Sequence, residues 1–184
     1  MTSAQRLEPP RVLIVPGWTN SGPEHWQTLW ERADPQRFCR VEQRDWDEPR
    51  VDDWVNALDA AIAAEPAPPV LVAHSLGCIA IAHWAARFAR PVAGALLVAP
   101  PDVERADMPE PVRNFAPVPL RPLPFRSILV ASDNDEYITL DRAKAFARAW
   151  GSELVHAGRA GHINTDAGFG PWPEGERLLA SLIP

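Results

Sequence analysis

Cysteine is scarce in this chain, and no stretch of it is both long and apolar. Two cysteines, Cys39 and Cys78, in 184 residues cannot build a disulfide framework, and they show no CxxC spacing. The expectation is two buried thiols. The longest apolar runs are far too short to span a bilayer, and the opening MTSAQRLEPPR has no apolar stretch of the signal-peptide kind. Both absences lead to the expectation of a soluble, cytoplasmic protein without a membrane partner. Basic residues are outnumbered, 18 against 24 acidic, for a net charge of −6, and no run of Lys or Arg forms a stripe. Nucleic acid is therefore disfavoured as a partner, because its phosphate backbone is held by clustered cations. Absent too are a GxxxxGK[ST] loop, a GxGxxG after the first strand, an HExxH and paired-cysteine metal spacing, so neither cofactor nor metal is implied.

Proline is abundant where these are scarce. The 21 prolines exclude a helical bundle, because proline removes a backbone donor and clashes inside a helix. A chain of this length buries about 70% of the surface its unfolded form exposes, which suffices for one domain over 1–184 without staples.

Short runs of Val, Ile and Leu, bounded by Pro, Gly, Asp or Ser, alternate with longer helical stretches. That rhythm predicts an α/β fold, a three-layer αβα sandwich on a six-stranded, mainly parallel sheet. Strands are expected at Val12–Val15, Cys39–Arg44, Val70–Ala73, Ala95–Ala99, Ile128–Ala131 and Glu153–His156. Helices are expected at Glu24–Arg32, Val51–Ala64, Leu76–Phe88, Leu140–Trp150 and Glu174–Leu182. The third is apolar nearly all round and should be buried. Pro100 to Pro124 carries eight prolines, which excludes a regular helix or an inner strand there. Its spaced apolar residues predict a packed loop that either covers the sheet or faces a substrate.

The segment Val70-Leu71-Val72-Ala73-His74-Ser75-Leu76-Gly77 runs a buried strand into a serine and then into an apolar helix. Small residues two before and two after the serine suit a nucleophile elbow, where strand and helix backbones come close together. Ser75 would then show its hydroxyl at the carboxyl end of the sheet and at a helix N-terminus. The same residue would also serve as a simple N-cap. A serine nucleophile needs a base and a carboxylate, in the chain order Ser, Asp, His. Asp133, Asp135 and Glu136 follow the fifth strand, and His162 follows the sixth. His162 is assigned as general base, and Asp135 as the carboxylate that orients it, with Asp133 and Glu136 as competitors. Oxyanion donors are expected from the backbone of Leu76 and of Trp18, the latter in the loop after the first strand. Trp18, Trp26, Trp46 and Trp172 either wall the site or pack helices on the sheet. His83 and His156 are expected to be structural.

Several segments together resemble a known family. They are Pro16 to Gln27 (Pro-Gly-Trp-Thr-Asn-Ser-Gly-Pro-Glu-His-Trp-Gln), Asp45-Trp46-Asp47 with Pro49 and Trp54, His74-Ser75-Leu76-Gly77, Arg113-Asn114-Phe115, Gly161-His162-Ile163-Asn164, and Trp172-Pro173-Glu174-Gly175. They look like the small serine hydrolases of the retinoblastoma-binding-protein-9/YdeN group in the α/β-hydrolase superfamily. The resemblance implies a shortened α/β-hydrolase fold without a helical cap and a triad at Ser75, Asp135 and His162. It implies substrate contacts at Trp46, Phe115 and Asn164, within the shared segments. The family's Asp-Asp-Pro-type turn at the acid reads Asn134-Asp135-Glu136 here, and the Leu-x-Cys-x-Glu pocket-protein motif is missing. The expected activity is hydrolysis of a small ester or amide through an acyl-enzyme. The alternative is a non-catalytic binding protein on the same fold. Substrate identity and oligomeric state are not readable from the sequence.

Overall fold

The computed structural model describes residues 10–183. Residues 1–9, which include most of the opening segment read above for a targeting signal, lie outside the described part. Six strands form one sheet: β1 (Val12–Val15), β2 (Phe38–Arg40), β3 (Val70–His74), β4 (Gly94–Val98), β5 (Ser127–Ala131) and β6 (Glu153–His156). Their order is β2-β1-β3-β4-β5-β6, and every pairing is parallel. Five α-helices connect or follow them: α1 (Trp26–Ala33), α2 (Val51–Ala64), α3 (Leu76–Arg87), α4 (Leu140–Trp150) and α5 (Pro173–Leu182).

Alternation along the strands sends side chains to two cores. Leu13, Val15, Leu71, Ala73, Leu97 and Leu129 face α2, α3 and α4 on one side. Val12, Ile14, Val70, Val72, Leu96 and Val98 face α1 and α5 on the other. Both faces of the sheet are thus covered, which explains why its strands read as unbroken apolar runs. The exceptions are the two edge strands: β2, half-buried at Cys39 and Arg40, and β6, with Leu154 exposed.

Helix α3 is buried from Leu76 to Trp84, as its all-round apolar sequence predicts. Several boundaries differ from the sequence reading. Strand β2 stops at Arg40, and only the Val41 N–H still bonds across, to the Ile14 carbonyl. Helix α1 begins at Trp26, because His25 takes the N-cap position and Pro23 and Glu24 form the turn before it. Cys78 is buried, but Cys39 is only half-buried. Between β4 and β5 the proline-rich segment forms a 3₁₀ helix, Glu110–Phe115, within irregular chain. There is no helical cap among the described residues. No described helix is long and apolar enough to cross a membrane.

Candidate active site

Strand order sets the site. Connections from β1 and β3 leave the sheet towards opposite faces, so a crevice opens at the carboxyl ends of these two adjacent strands. Ser75 stands there, between β3 and α3, with φ 53° and ψ −126°. Such a backbone is strained for a non-glycine residue, and it lifts the side chain out of the turn. Gly77 permits the close approach: a Cβ at that position would lie 2.3 Å from the Val15 carbonyl oxygen. Ala73, which stands where the usual motif has glycine, is fully buried and tolerated.

The Ser75 side chain does not cap α3. Its Oγ lies 2.9 Å from His162 Nε2, and His162 Nδ1 lies 2.9 and 3.0 Å from the two carboxylate oxygens of Asp135. The Asp135 side chain is fully buried and that of His162 is 7% exposed, so the pair is shielded from solvent screening. Asp133 points elsewhere and pairs with His156 at 2.6 Å on the surface. Glu136 makes no bond to His162 and gives its carbonyl to Arg105.

Two loops are tied together to hold this row. Asn134 Oδ1 accepts from the Gly161 N–H at 2.9 Å, and Ser132 Oγ accepts from the Ala160 N–H at 3.0 Å, joining the acid loop to the base loop. His74 Nε2–H donates to the His162 carbonyl at 2.8 Å, and Trp26 Nε1–H donates to the Ile163 carbonyl at 2.9 Å. These four tethers were missed by the sequence reading. Only Asn134, inside the acid loop, carried a signal. Tyr137 stands edge-on to the His162 ring at 4.5 Å. Burial and the nearby carboxylates of Glu136 and Asp135 raise its hydroxyl pKa.

The β1–α1 connection passes beneath the serine, where a Cβ on Gly17 would lie 2.8 Å from that of Ser75. Among the described residues, the backbone N–H groups of Trp18 and Leu76 donate to no protein acceptor. The Trp18 indole donates to the Asp47 carbonyl, and the Thr19 N–H to the Trp46 carbonyl, so the Asp45–Pro49 loop braces this connection.

A cavity of about 330 Å³ opens over Ser75. One wall is apolar, with Pro101, Met108, Pro109 and Val112 from the proline-rich segment, and the other carries Thr19, Asn20, His25 and Asn164. Asn164 thus reaches the cavity, although its side chain also accepts from the Ala167 N–H. Two expected substrate contacts do not reach it. Phe115 is fully buried against Trp54, because its 3₁₀ turn points the ring into the core. Trp46 likewise lays its ring on Trp54 and offers the site loop only its carbonyl. The Arg113-Asn114-Phe115 segment is a clamp: Asn114 Oδ1 accepts from the Val51 N–H at the start of α2, and the Phe115 carbonyl accepts from His83 Nε2–H at 2.7 Å. Of the four tryptophans weighed as site walls, only Trp18 lines the cavity, while Trp26 and Trp172 pack in the core under α1 and α5.

The chain is similar to several known hydrolases. A family model described as serine hydrolase matches residues 12–181. A solved YdeN-like hydrolase from Pectobacterium atrosepticum is 38% identical, with a TM-score of 0.84 over 95% of this chain and 92% of that one. The ydeN gene product from B. subtilis is 22% identical, with a TM-score of 0.76 over 94% and 98%. An esterase domain from a Rhodothermus marinus protein is 17% identical, with a TM-score of 0.69 over 96% and 88%, and shares the fold. No curated protein matches the chain. With a family model over nearly its whole length and a relative 38% identical over 95% of it, the chain belongs to the serine hydrolase family, as a small YdeN-like hydrolase of the α/β-hydrolase type.

Proposed function

We propose that the protein hydrolyses a small ester or amide through an acyl-enzyme, with Ser75 as nucleophile, His162 as general base and then acid, and Asp135 as the carboxylate that holds His162. The observation that carries this reading is the unbroken hydrogen-bonded row from Ser75 Oγ through His162 to the buried Asp135. Ser75 Oγ attacks the scissile carbonyl carbon while His162 Nε2 takes the hydroxyl proton, and Asp135 stabilises the imidazolium that forms. Negative charge gathers on the carbonyl oxygen, where the free N–H groups of Trp18 and Leu76 and the N-terminus of α3 favour it. Each such donor is worth about 3 kcal/mol in the transition state. Collapse breaks the bond to the alcohol or amine, which leaves with the proton from His162. Water, deprotonated by the same histidine, then attacks the acyl-Ser75 ester and releases the acid.

A cavity of about 330 Å³ suits a small substrate. Solved neighbours described as esterases support beginning with esters. A fluorophosphonate probe tests the nucleophile. Labelling of the wild type and its loss in Ser75→Ala is the expected result. Equal labelling of both would move the nucleophile away from Ser75, and labelling of neither while circular dichroism shows folded protein would leave the non-catalytic alternative; either result overturns the reading.

A further inference from the structure

The cavity over Ser75 carries fixed charge of one sign only. No Lys or Arg lines it, and Asp166 is the one Asp or Glu that does. Burial, above all, lowers the pKa values of the lining residues His25 and His74, so both stay uncharged at neutral pH. Asp166 sits in the 3₁₀ turn Thr165–Ala167 that follows the base loop. It is exposed, so a ligand can reach it, and it makes no ion pair with any described residue. The nearest basic residue in sequence, Arg159, lines an adjoining hollow and not the cavity. Tyr137 stands at the same corner, its ring edge-on to that of His162 at 4.5 Å. Burial first, then the negative charges of Glu136, Asp135 and Asp166, raise the pKa of its hydroxyl, so the phenol stays neutral and lies within electrostatic reach of Asp166.

His162 hands its proton to the leaving group, so the departing atom must lie within a hydrogen bond of Nε2. The group beyond that atom meets Tyr137 and Asp166 beside His162, while the acyl carbonyl oxygen turns to the Trp18 and Leu76 amides. An aromatic ring next to a carboxylate, with no competing cation, attracts an alkylated ammonium ion. The net charge of −6 draws ligands of the same sign. We propose that Asp166 and Tyr137 form a leaving-group subsite that selects esters or amides whose leaving group carries an ammonium group. With a choline ester, Ser75 displaces choline from the acyl carbon, choline leaves as the alcohol with the proton from His162, and water then releases the acid. This rests on the hydrolase reading given above.

The test compares butyrylcholine with 3,3-dimethylbutyl butyrate, in which carbon replaces the charged nitrogen and the shape is kept. Acid release is followed by pH-stat titration, and each variant is compared with wild type as the ratio of kcat/KM for the two esters, so intrinsic ester reactivity cancels. Asp166→Asn removes the charge, Asp166→Lys reverses it and Asp166→Glu restores it. The expected result is a fall of about fivefold in the choline-to-neutral ratio in Asp166→Asn, a larger fall in Asp166→Lys, and a ratio within about twofold of wild type in Asp166→Glu. Added salt should lower the ratio in the wild type and leave that of Asp166→Asn unchanged. An unchanged ratio in Asp166→Asn and Asp166→Lys, or a parallel loss on both esters, would overturn the proposal. So would a wild type that labels at Ser75 with the phosphonate yet does not turn over the choline ester. Absence of Ser75-dependent labelling in the wild type is the separate result that would sink the hydrolase reading itself.

Discussion

Asp133 and Asp135 occupy one turn, two residues apart, and meet different histidines. Asp135 turns inward to His162, while Asp133 meets His156 at the surface. Replacing Asp135 by Asn keeps the shape but presents an amide to Nδ1, which favours the wrong imidazole tautomer. The expected outcome is a folded protein whose kcat on a p-nitrophenyl ester falls by up to ~10⁴-fold. Asp133→Asn should change it less than about twofold, since that pair is exposed and remote from the nucleophile. The serine and the histidine were legible in sequence because each follows a strand whose apolar pattern is plain. The choice of acid was not, because three carboxylates share one loop and only its path decides which is buried. Phe115 and Trp46 were misplaced for a related reason: nearness to a shared motif says nothing about which way a ring points.

At the scale of elements, the elbow depends on β1 and α3 touching backbone to backbone at Gly77. A side chain there would drive into the Val15 and Pro16 carbonyl oxygens, which no rotamer change relieves. Gly77→Val should destabilise the fold by at least about 3 kcal/mol, read as a lowered urea midpoint or loss of soluble protein. Gly22→Ala is the control, because a Cβ there meets nothing within 4 Å, and its midpoint should stay close to that of wild type. Alternating strand and helix patterns placed most elements correctly, and the prolines marked 100–124 as irregular. That this segment both walls the cavity through Met108, Pro109 and Val112 and clamps α2 through Asn114 was beyond local pattern, because these contacts join residues far apart in the chain.

Across the whole molecule, burying neutral histidines links stability to pH. His25 folds with a pKa of about 4, lowered mainly by burial, against about 6.5 in an unfolded chain. Between those values the unfolded chain binds a proton that the folded one refuses, so this contribution is complete above about pH 6.5 and is lost as pH falls towards 4. His74, fully buried, and His83 shift in the same direction, also chiefly by burial. The carboxylates of Asp45, Asp59 and Asp107 are lowered from ordinary values near 3.8, so they stay ionised in this window. Urea unfolding should therefore give lower stability at pH 5 than at pH 7, with about 2 kcal/mol from His25 alone, and His25→Asn should flatten the dependence by that amount. The sequence by itself determined the alternation of strand and helix, the burial of both sheet faces, and a serine and a histidine at the carboxyl ends of their strands. Those follow from periodicity and turn chemistry, which act over a few residues. Only the tertiary structure decided which acid meets His162, which aromatics stay in the core, and that His25 is buried as the N-cap of α1. Each of these depends on loops from remote strands being pinned together by hydrogen bonds, and no local pattern records such pairings.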